Sequence, residues 1–533
     1  MTEDTRSHES QGRRPAGDGA ARTLGGRRRF LKTASLLAVS AGFHRLQSSG
    51  WAAESPDGAT APHSPFVGVH IAAHSFYDEG LGHCLDFLQE TAGVNTLFVT
   101  SNSYYGAMLR PKEAQGYHGV PIRDGRDRQV TKTFFQPHEK SYASTVLRHK
   151  PLDSTLAYAG REVFVDLAEP ARRRGMKIYE RMYEPGGEGL IENILGAENV
   201  RTVDVFGEPG RRACWNHPDY LNWVEACVRD LFSSYTLDGI QYGAERNGPL
   251  SRLVDWARET PACFCDHCRQ RADKEGVDFA RAKAGLTEMT QFIRTLEKGG
   301  EPGPDGALVD FLRILMRYPE IFAWENMHYR AGEDLHQRIY DTVKAINPQA
   351  QVGRHIDHSQ SSWDVFFRAA MPYARMTPRS DFLKISTYHD ILGPRLAGRI
   401  KDGYCRHLLR GFSPDQALDL FYAVAGHNPR VEPPFDNLAD EGLSPEYVYR
   451  EIRRAVAGVA RESAIYAGIA IDVPRGADWG TEPSPSDPDE VGRCVRRAYD
   501  AGAAGIVICR EYEEMHEASL RAIGRAVRER AAG

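Results

Sequence analysis

The sequence predicts an α/β fold, a (β/α)8 TIM barrel with long loop insertions. Three observations predict it. Short runs rich in Val, Ile, Leu, Phe and Tyr recur eight times between residues 67 and 509. Longer segments with helical periodicity separate most of them, as the crossovers of a parallel sheet require. No linker and no internal repeat divides residues 60–533, and a count of eight favours a closed barrel over a doubly wound sheet.

The elements follow in order. Val67-Gly68-Val69-His70-Ile71 reads as strand one, with a helix over 81–91 behind it. Asn95-Thr96-Leu97-Phe98-Val99-Thr100 is strand two. The polar stretch 102–158 is too long for an ordinary connection and marks a functional or unstructured insertion. A helix near 162–173 ends at Gly175 and leads to strand three, Met176-Lys177-Ile178-Tyr179-Glu180. The helix 218–235 leads to strand four, Leu237-Asp238-Gly239-Ile240-Gln241-Tyr242. After an insertion over 270–330 and a helix around 331–346, Ala350-Gln351-Val352-Gly353-Arg354-His355 is strand five. Phe382-Leu383-Lys384-Ile385-Ser386-Thr387 is strand six, and a helix over 445–461 follows a Pro-rich stretch. Ile465 to Ile471 is strand seven, with a helix over 488–501. Gly505-Ile506-Val507-Ile508-Cys509 is strand eight, and a helix over 515–530 closes the chain.

Composition narrows the function classes. The chain has 533 residues, 41% hydrophobic and 26% charged, which is ordinary for a soluble protein. A net charge of −5 gives no basic bias toward nucleic acid. The first residues differ from the rest. Arg27-Arg28-Arg29-Phe30-Leu31-Lys32 precedes the mildly apolar run 33–43. This resembles a twin-arginine signal, with Gly26 where Ser or Thr usually stands and Ala52-Ala53 as a cleavage point. The apolar run is far shorter than the roughly 20 residues a membrane span needs, so no permanent span is expected. The resemblance makes residues 1–53 a signal peptide and polar leader. It implies the twin-arginine export machinery as a partner and a periplasmic or extracellular destination for the barrel, residues 60–533.

Barrel enzymes place their chemistry at the C-terminal ends of the strands. Those ends carry His70, His74, Tyr104, Tyr105, Glu180, Arg181, Tyr183, Glu184, Glu245, His355, Asp357, Tyr388, His389, Asp472, Glu511 and Tyr512. Carboxylates, aromatics, His and Arg dominate. Glycosidic bonds are cleaved by two carboxyl groups, one protonating the leaving oxygen and one attacking the anomeric carbon or activating water. Any one of these carboxylates can equally be a structural ion pair, Glu180 with Arg181 or Glu511 with Arg510.

The chain has nine cysteines, three of them in Cys263-Phe264-Cys265-Asp266-His267-Cys268 with Cys214 upstream. Four thiolates suit a tetrahedral structural zinc site. A disulfide or buried free thiols would use the same residues. The run from Cys214 through Pro218, Tyr220 and Glu245 to Cys268 resembles the glycoside hydrolase family 42 β-galactosidases, and covers about a tenth of the chain. In that family a Cys, a Pro- and Tyr-containing helix start, a strand ending in Asn-Glu and a C-x-C-x2-C follow in this order. The resemblance implies that Cys214, Cys263, Cys265 and Cys268 hold structural Zn2+ and that Glu245 is the general acid/base. Ala244 stands where the clan has Asn, Asp472 where its nucleophile is Glu, and no trimerisation segment follows the barrel. The runs Gly468 to Pro474 and Arg510 to Met515 also resemble exported barrel proteins described only as glycoside-hydrolase-like.

The expectation is therefore a glycoside hydrolase acting on an extracytoplasmic oligo- or polysaccharide. Glu245 is the expected proton donor, Asp472 the opposing carboxylate and Glu511 its substitute. His70, Tyr179, Glu180, Tyr242, His355, Tyr388 and Tyr512 are the expected sugar-binding wall. Carboxyls about 5 Å apart would retain configuration and a gap of roughly 6.5–9.5 Å would invert it. Two other readings stay open. His70, His74, Glu180, His355, Asp357, His389 and Asp472 could ligate a catalytic metal in a metal-dependent hydrolase or isomerase, although strand one carries H-x3-H rather than the H-x-H of the amidohydrolases. A glycan-binding barrel without catalysis would use the same aromatics.

Overall fold

The computed structural model describes residues 65–103, 118–119, 132–150, 160–185, 188–255, 259–459, 463–474 and 484–532. The motif at 27–32, the run 33–43, Ala52, Ala53, Tyr104 and Tyr105 lie outside the described residues. Eight parallel strands close into a barrel: β1 (Phe66–Ala72), β2 (Thr96–Thr100), β3 (Lys177–Tyr183), β4 (Gly239–Gly243), β5 (Gln351–Ile356), β6 (Phe382–Ser386), β7 (Ala464–Ala470) and β8 (Gly505–Cys509). Each strand pairs with its sequence neighbour and β8 pairs with β1, so no edge is left to aggregate.

A helix follows every strand: α1 (Leu81–Ala92), α2 (Val163–Arg173), α3 (Pro218–Ser234), α4 (Glu320–Ile346), α5 (Val365–Ala370), α6 (Pro445–Gly458), α7 (Pro488–Asp500) and α8 (Glu517–Ala532). Local chemistry sets their starts. In α3, α6 and α7 a proline stands at the first turn, where its missing N–H costs nothing, and His217, Ser444 and Asp487 accept from the second backbone N–H. The short α5 had no counterpart in the sequence expectation. Its six residues are too few for a periodic signal, although Asp364 caps it through the N–H groups of Phe366 and Phe367.

The insertion over 270–330, unassigned from sequence, is helical. It contains Asp266–Glu275, Phe279–Glu297 and Ala307–Arg317, and α4 begins eleven residues before the expected 331. These helices pack Leu286, Met289, Ile293, Phe311 and Trp324 into a second core that also holds Cys214, Cys263 and Cys268.

Strand period two sorts the barrel interior. Ile178 and Met182 of β3 join the layer between strands and helices, while Tyr179 lies inside the barrel. Tyr179, Phe66, Phe98, Phe382 and Tyr466 fill the floor, with Phe66 stacked on Tyr466 at 3.9 Å between centroids. Such pairs each add about 0.5–1.5 kcal/mol beyond area burial. Above this plug the interior turns polar.

Candidate active site at the barrel mouth

The strands bring a set of polar side chains together above the aromatic floor. The Nε2 atoms of His70 (β1) and Gln241 (β4) lie 3.1 Å apart. Arg181 (β3) donates to Glu511 Oε1 at 2.6 Å, just beyond β8. Lys384 (β6) donates to Tyr388 Oη at 2.8 Å and to Ser386 Oγ at 2.9 Å. His355 (β5) sits at the centre, with Nε2 2.9 Å from Glu245 Oε1, Nδ1 3.4 Å from Lys384 Nζ, and its ring 5.4 Å from that of Tyr183. Two residues along, Asp357 pairs with His358 at 2.8 Å. Gly468 on β7 makes room for the lysine: a Cβ there would lie 2.2 Å from Lys384 Cε.

Two carboxyls at this mouth, Glu245 and Glu511, are held in opposite settings. Glu245 has φ +44°, and it and Asp472 are the non-glycine residues with positive φ among the described residues. Such backbone costs energy and collects at functional sites. The Glu245 side chain is 45% exposed at the mouth. Partial burial, with Asp357, works against its charge, but contact with His355 and the nearby His358 outweigh them and hold the carboxyl below the usual carboxylate range. Glu511 moves the other way. Burial pushes it up, aided by Glu513, against the pull of Arg181. Environments that drive two carboxyls apart divide acid from base. Glu245 was the expected proton donor, and its carboxyl is the one of the two held low, whereas Glu511 is pushed up.

Several expected site residues lie elsewhere. Asp472 is fully buried, and its carboxylate is committed to structure. It accepts from Ser486 N at 2.8 Å, His516 N at 2.7 Å and Ser519 Oγ at 3.0 Å, tying the loop after β7 to the start of α8. Tyr179 is in the floor, its hydroxyl donating to Gln351 at 2.6 Å. Tyr242 follows the inward Gln241, so it faces α4, 6.2 Å from the ring of His336. Tyr512 points into the shell between β8 and α1, where it donates to Glu79 at 2.8 Å. Glu180 lies between the inward Tyr179 and Arg181 and therefore faces the helix layer, close enough to raise the pKa of Cys227 on α3. Of the expected wall, His70, His355 and Tyr388 are at the mouth. The ion pairs differ from those expected too, with Arg181 on Glu511 and Arg510 on Glu514.

Burial pushes the Glu180 carboxyl from 4.5 up to about 8, against weaker pulls from Ser101 and Arg181. Between those two values the unfolded chain has released this proton and the folded chain keeps it, so stability falls as pH rises. Glu180→Gln is expected to raise the thermal midpoint at pH 8 and leave it nearly unchanged at pH 5. Equal shifts at both pH values would refute this placement.

The metal set imagined across the mouth disperses. His74 bonds Glu513 at 3.2 Å, and Glu180 and Asp472 face away from the mouth. At the mouth, Glu245, His355 and Asp357 bring ligand atoms within 4.8 Å of one another. A cation there would meet the lysine next to His355, and Asp357 already has His358 and Ser359 as partners.

The cysteine cluster does assemble. Cys214, Cys263, Cys265 and Cys268 place their sulfurs within 4.8 Å of one another. Cys214 Sγ is 3.5 Å from both Cys265 Sγ and Cys268 Sγ, too far for a disulfide, and all four are free thiols. Tetrahedral metal–sulfur bonds of 2.3 Å imply sulfurs about 3.8 Å apart, near the spacing seen. Backbone and side-chain N–H groups already aim at the sulfurs, from Val203 to Cys263 at 3.3 Å and from Asn216 to Cys214 at 3.4 Å and Cys268 at 3.3 Å. The donor set fits a metal ion. It also reaches the barrel mouth. Arg212 donates to Ala244 O at 3.2 Å and Arg246 to Ala213 O at 2.9 Å, so the residues flanking Cys214 hold those flanking Glu245.

Two of the residues at the mouth, Gln241 and Lys384, were absent from the residues expected there, and Arg181 was expected only as the ion-pair partner of Glu180. Their signal was present: each is a polar residue at an inward position of an otherwise buried strand.

No protein-family model matches the chain, and no curated protein matches it. The solved structures to which it is similar include glycoside hydrolases. Against the glycoside hydrolase domain of PgaB (BpsB) from Bordetella bronchiseptica, identity is 12% and the TM-score 0.45, over 88% of this chain and 98% of that one. Against the β-galactosidase of the haloarchaeon Halorubrum lacusprofundi, identity is 14% and the TM-score 0.44, over 87% of this chain. The chain spans 58% of that enzyme's length. Against the catalytic domain of the β-amylase of Paenibacillus polymyxa, identity is 11% and the TM-score 0.43, over 89% of this chain and 100% of that domain. None of these scores reaches 0.5, so any functional reading rests on the geometry of the mouth.

Proposed function

We propose that this chain is a glycoside hydrolase that cleaves an oligo- or polysaccharide with Glu245 and Glu511. The observation that carries the reading is the pair of carboxyls at one barrel mouth, one held low beside His355 and one pushed up by burial. Glu511 protonates the leaving oxygen. Glu245, ionised, attacks the anomeric carbon or activates water. Tyr183, half-buried at the mouth, offers a ring face to sugar, while His70, Gln241 and Tyr388 are buried. The four cysteines hold structural zinc, which cross-links the segment before α3 to the insertion and takes no part in bond cleavage. The N-terminal motif directs export by the twin-arginine route, which makes the substrate an extracytoplasmic glycan. Among the described residues no helix is long and apolar enough to cross a membrane.

The testing experiment offers the purified protein a broad panel of glycosides and polysaccharides, with sugar release and calorimetric binding measured in parallel. Release from at least one member supports the reading. Binding without release by any member replaces it with a glycan-binding barrel, and neither binding nor release removes the carbohydrate assignment.

A further inference from the structure

Lys384 is fully buried on β6 and pairs with no carboxylate among its hydrogen-bond partners. An ammonium carries three protons and no lone pair, so every partner must accept. Its hydrogen-bond partners include Ser386 Oγ, Tyr388 Oη and His355 Nδ1, with the Cys509 sulfur beside them. The third is decisive. If the lysine donates to Nδ1, that nitrogen holds no proton, and the single proton of a neutral imidazole sits on Nε2, 2.9 Å from Glu245 Oε1. We propose that Lys384 is a positioning residue that keeps His355 neutral and fixes its proton on Nε2, the ring nitrogen that lies beside Glu245. The inference deepens the reading of Glu245 as the working carboxylate and rests on it.

The surrounding charges agree with this arrangement. His355 faces Lys384 from β6, Glu245 from beyond β4, Tyr183 from β3, His70 from β1 and Asp357 on its own segment. Burial and the lysine bring its pKa down to about 4, against the pull of Glu245 and Asp357. Lys384 in turn faces Cys509 on β8, Arg181 on β3 and Glu245, and burial holds it below the usual lysine range. The consequence is chemical. A doubly protonated His355 would pin Glu245 in a tight ion pair and blunt it as nucleophile or base. A neutral donor steadies the carboxylate and leaves its charge available.

The test needs no substrate, so it separates this inference from the glycosidase reading. Protein labelled with [15N]histidine is examined by two-bond 1H–15N correlation at pH 7, with His355 assigned from its absence in His355→Asn. The expected pattern is a neutral ring protonated at Nε2. A ring protonated at Nδ1, or on both nitrogens, overturns the inference in the wild type alone, whether or not any variant folds. In Lys384→Met the His355 midpoint is expected to rise by roughly one pH unit or more, because the adjacent positive charge and the competing donor are both gone. An unchanged midpoint in folded Lys384→Met also overturns it. Turnover failing on every glycan while the Nε2 pattern holds would count against the function and not against this role for Lys384.

Discussion

Glu245→Gln is expected to lower kcat on a cleaved glycoside by about a thousandfold with the thermal midpoint nearly unchanged. The amide keeps the size of the side chain and its oxygen can stay beside His355 Nε2, so the strained backbone at φ +44° keeps its neighbour. What is lost is the negative charge, which both attack on the anomeric carbon and activation of water require. KM should change far less than kcat, because the Tyr183 ring offered to the sugar is untouched. A variant with wild-type kcat would remove Glu245 from the mechanism. A collapse of the thermal midpoint would mean that the carboxylate serves the fold.

Cys265→Ser is expected to release one equivalent of zinc and to cost on the order of several kcal/mol, with the thermal midpoint falling by roughly 5 °C or more. The cluster joins the segment before α3 to the loop before the Asp266–Glu275 helix, which are far apart in sequence. Three thiols cannot complete a tetrahedral site, and the second core packed around Cys214, Cys263 and Cys268 loses its cross-link. Activity should fall with stability, because Arg212 and Arg246 tie this region to the backbone on either side of Glu245. Elemental analysis of the wild type and the variant, with thermal unfolding, checks both parts. Wild-type protein that contains no zinc when expressed in its presence, or a variant as stable as the parent, would refute the structural-metal role.

The fold was legible because barrel strands are short, apolar and bounded by Gly, Pro and charged residues. β8 spans the same Gly505–Cys509 in sequence and structure, and the other strands shift by a residue or two or extend further. β3 extends to Tyr183, and this matters most, because Arg181 and Tyr183 are strand residues that point inward. The site was only partly legible. Standing at a strand end does not say which way a side chain points; the two-residue alternation does. It turns Glu180 and Tyr242 toward the helices and Arg181 and Gln241 toward the mouth. Asp472 failed for another reason. The N–H groups and hydroxyl that consume its carboxylate come from Ser486, His516 and Ser519, between 14 and 47 residues away in sequence. The cysteine cluster was legible because C-x-C-x2-C constrains its sulfurs locally and needs only Cys214 from outside.

The division of labour between the two carboxyls is tested most directly by kcat/KM against pH, for the wild type and Glu511→Gln on one cleaved glycoside. The wild type should give a bell. Activity falls on the acid side as Glu245 gains a proton, at a pH below the usual carboxylate range, and on the alkaline side as Glu511 loses one, above it. Glu511→Gln should be slower by about a hundredfold or more and lack the alkaline limb, since no proton remains there to be lost. An alkaline limb that persists unchanged in Glu511→Gln, or a variant as fast as the wild type, would contradict the assignment of Glu511 as the acid.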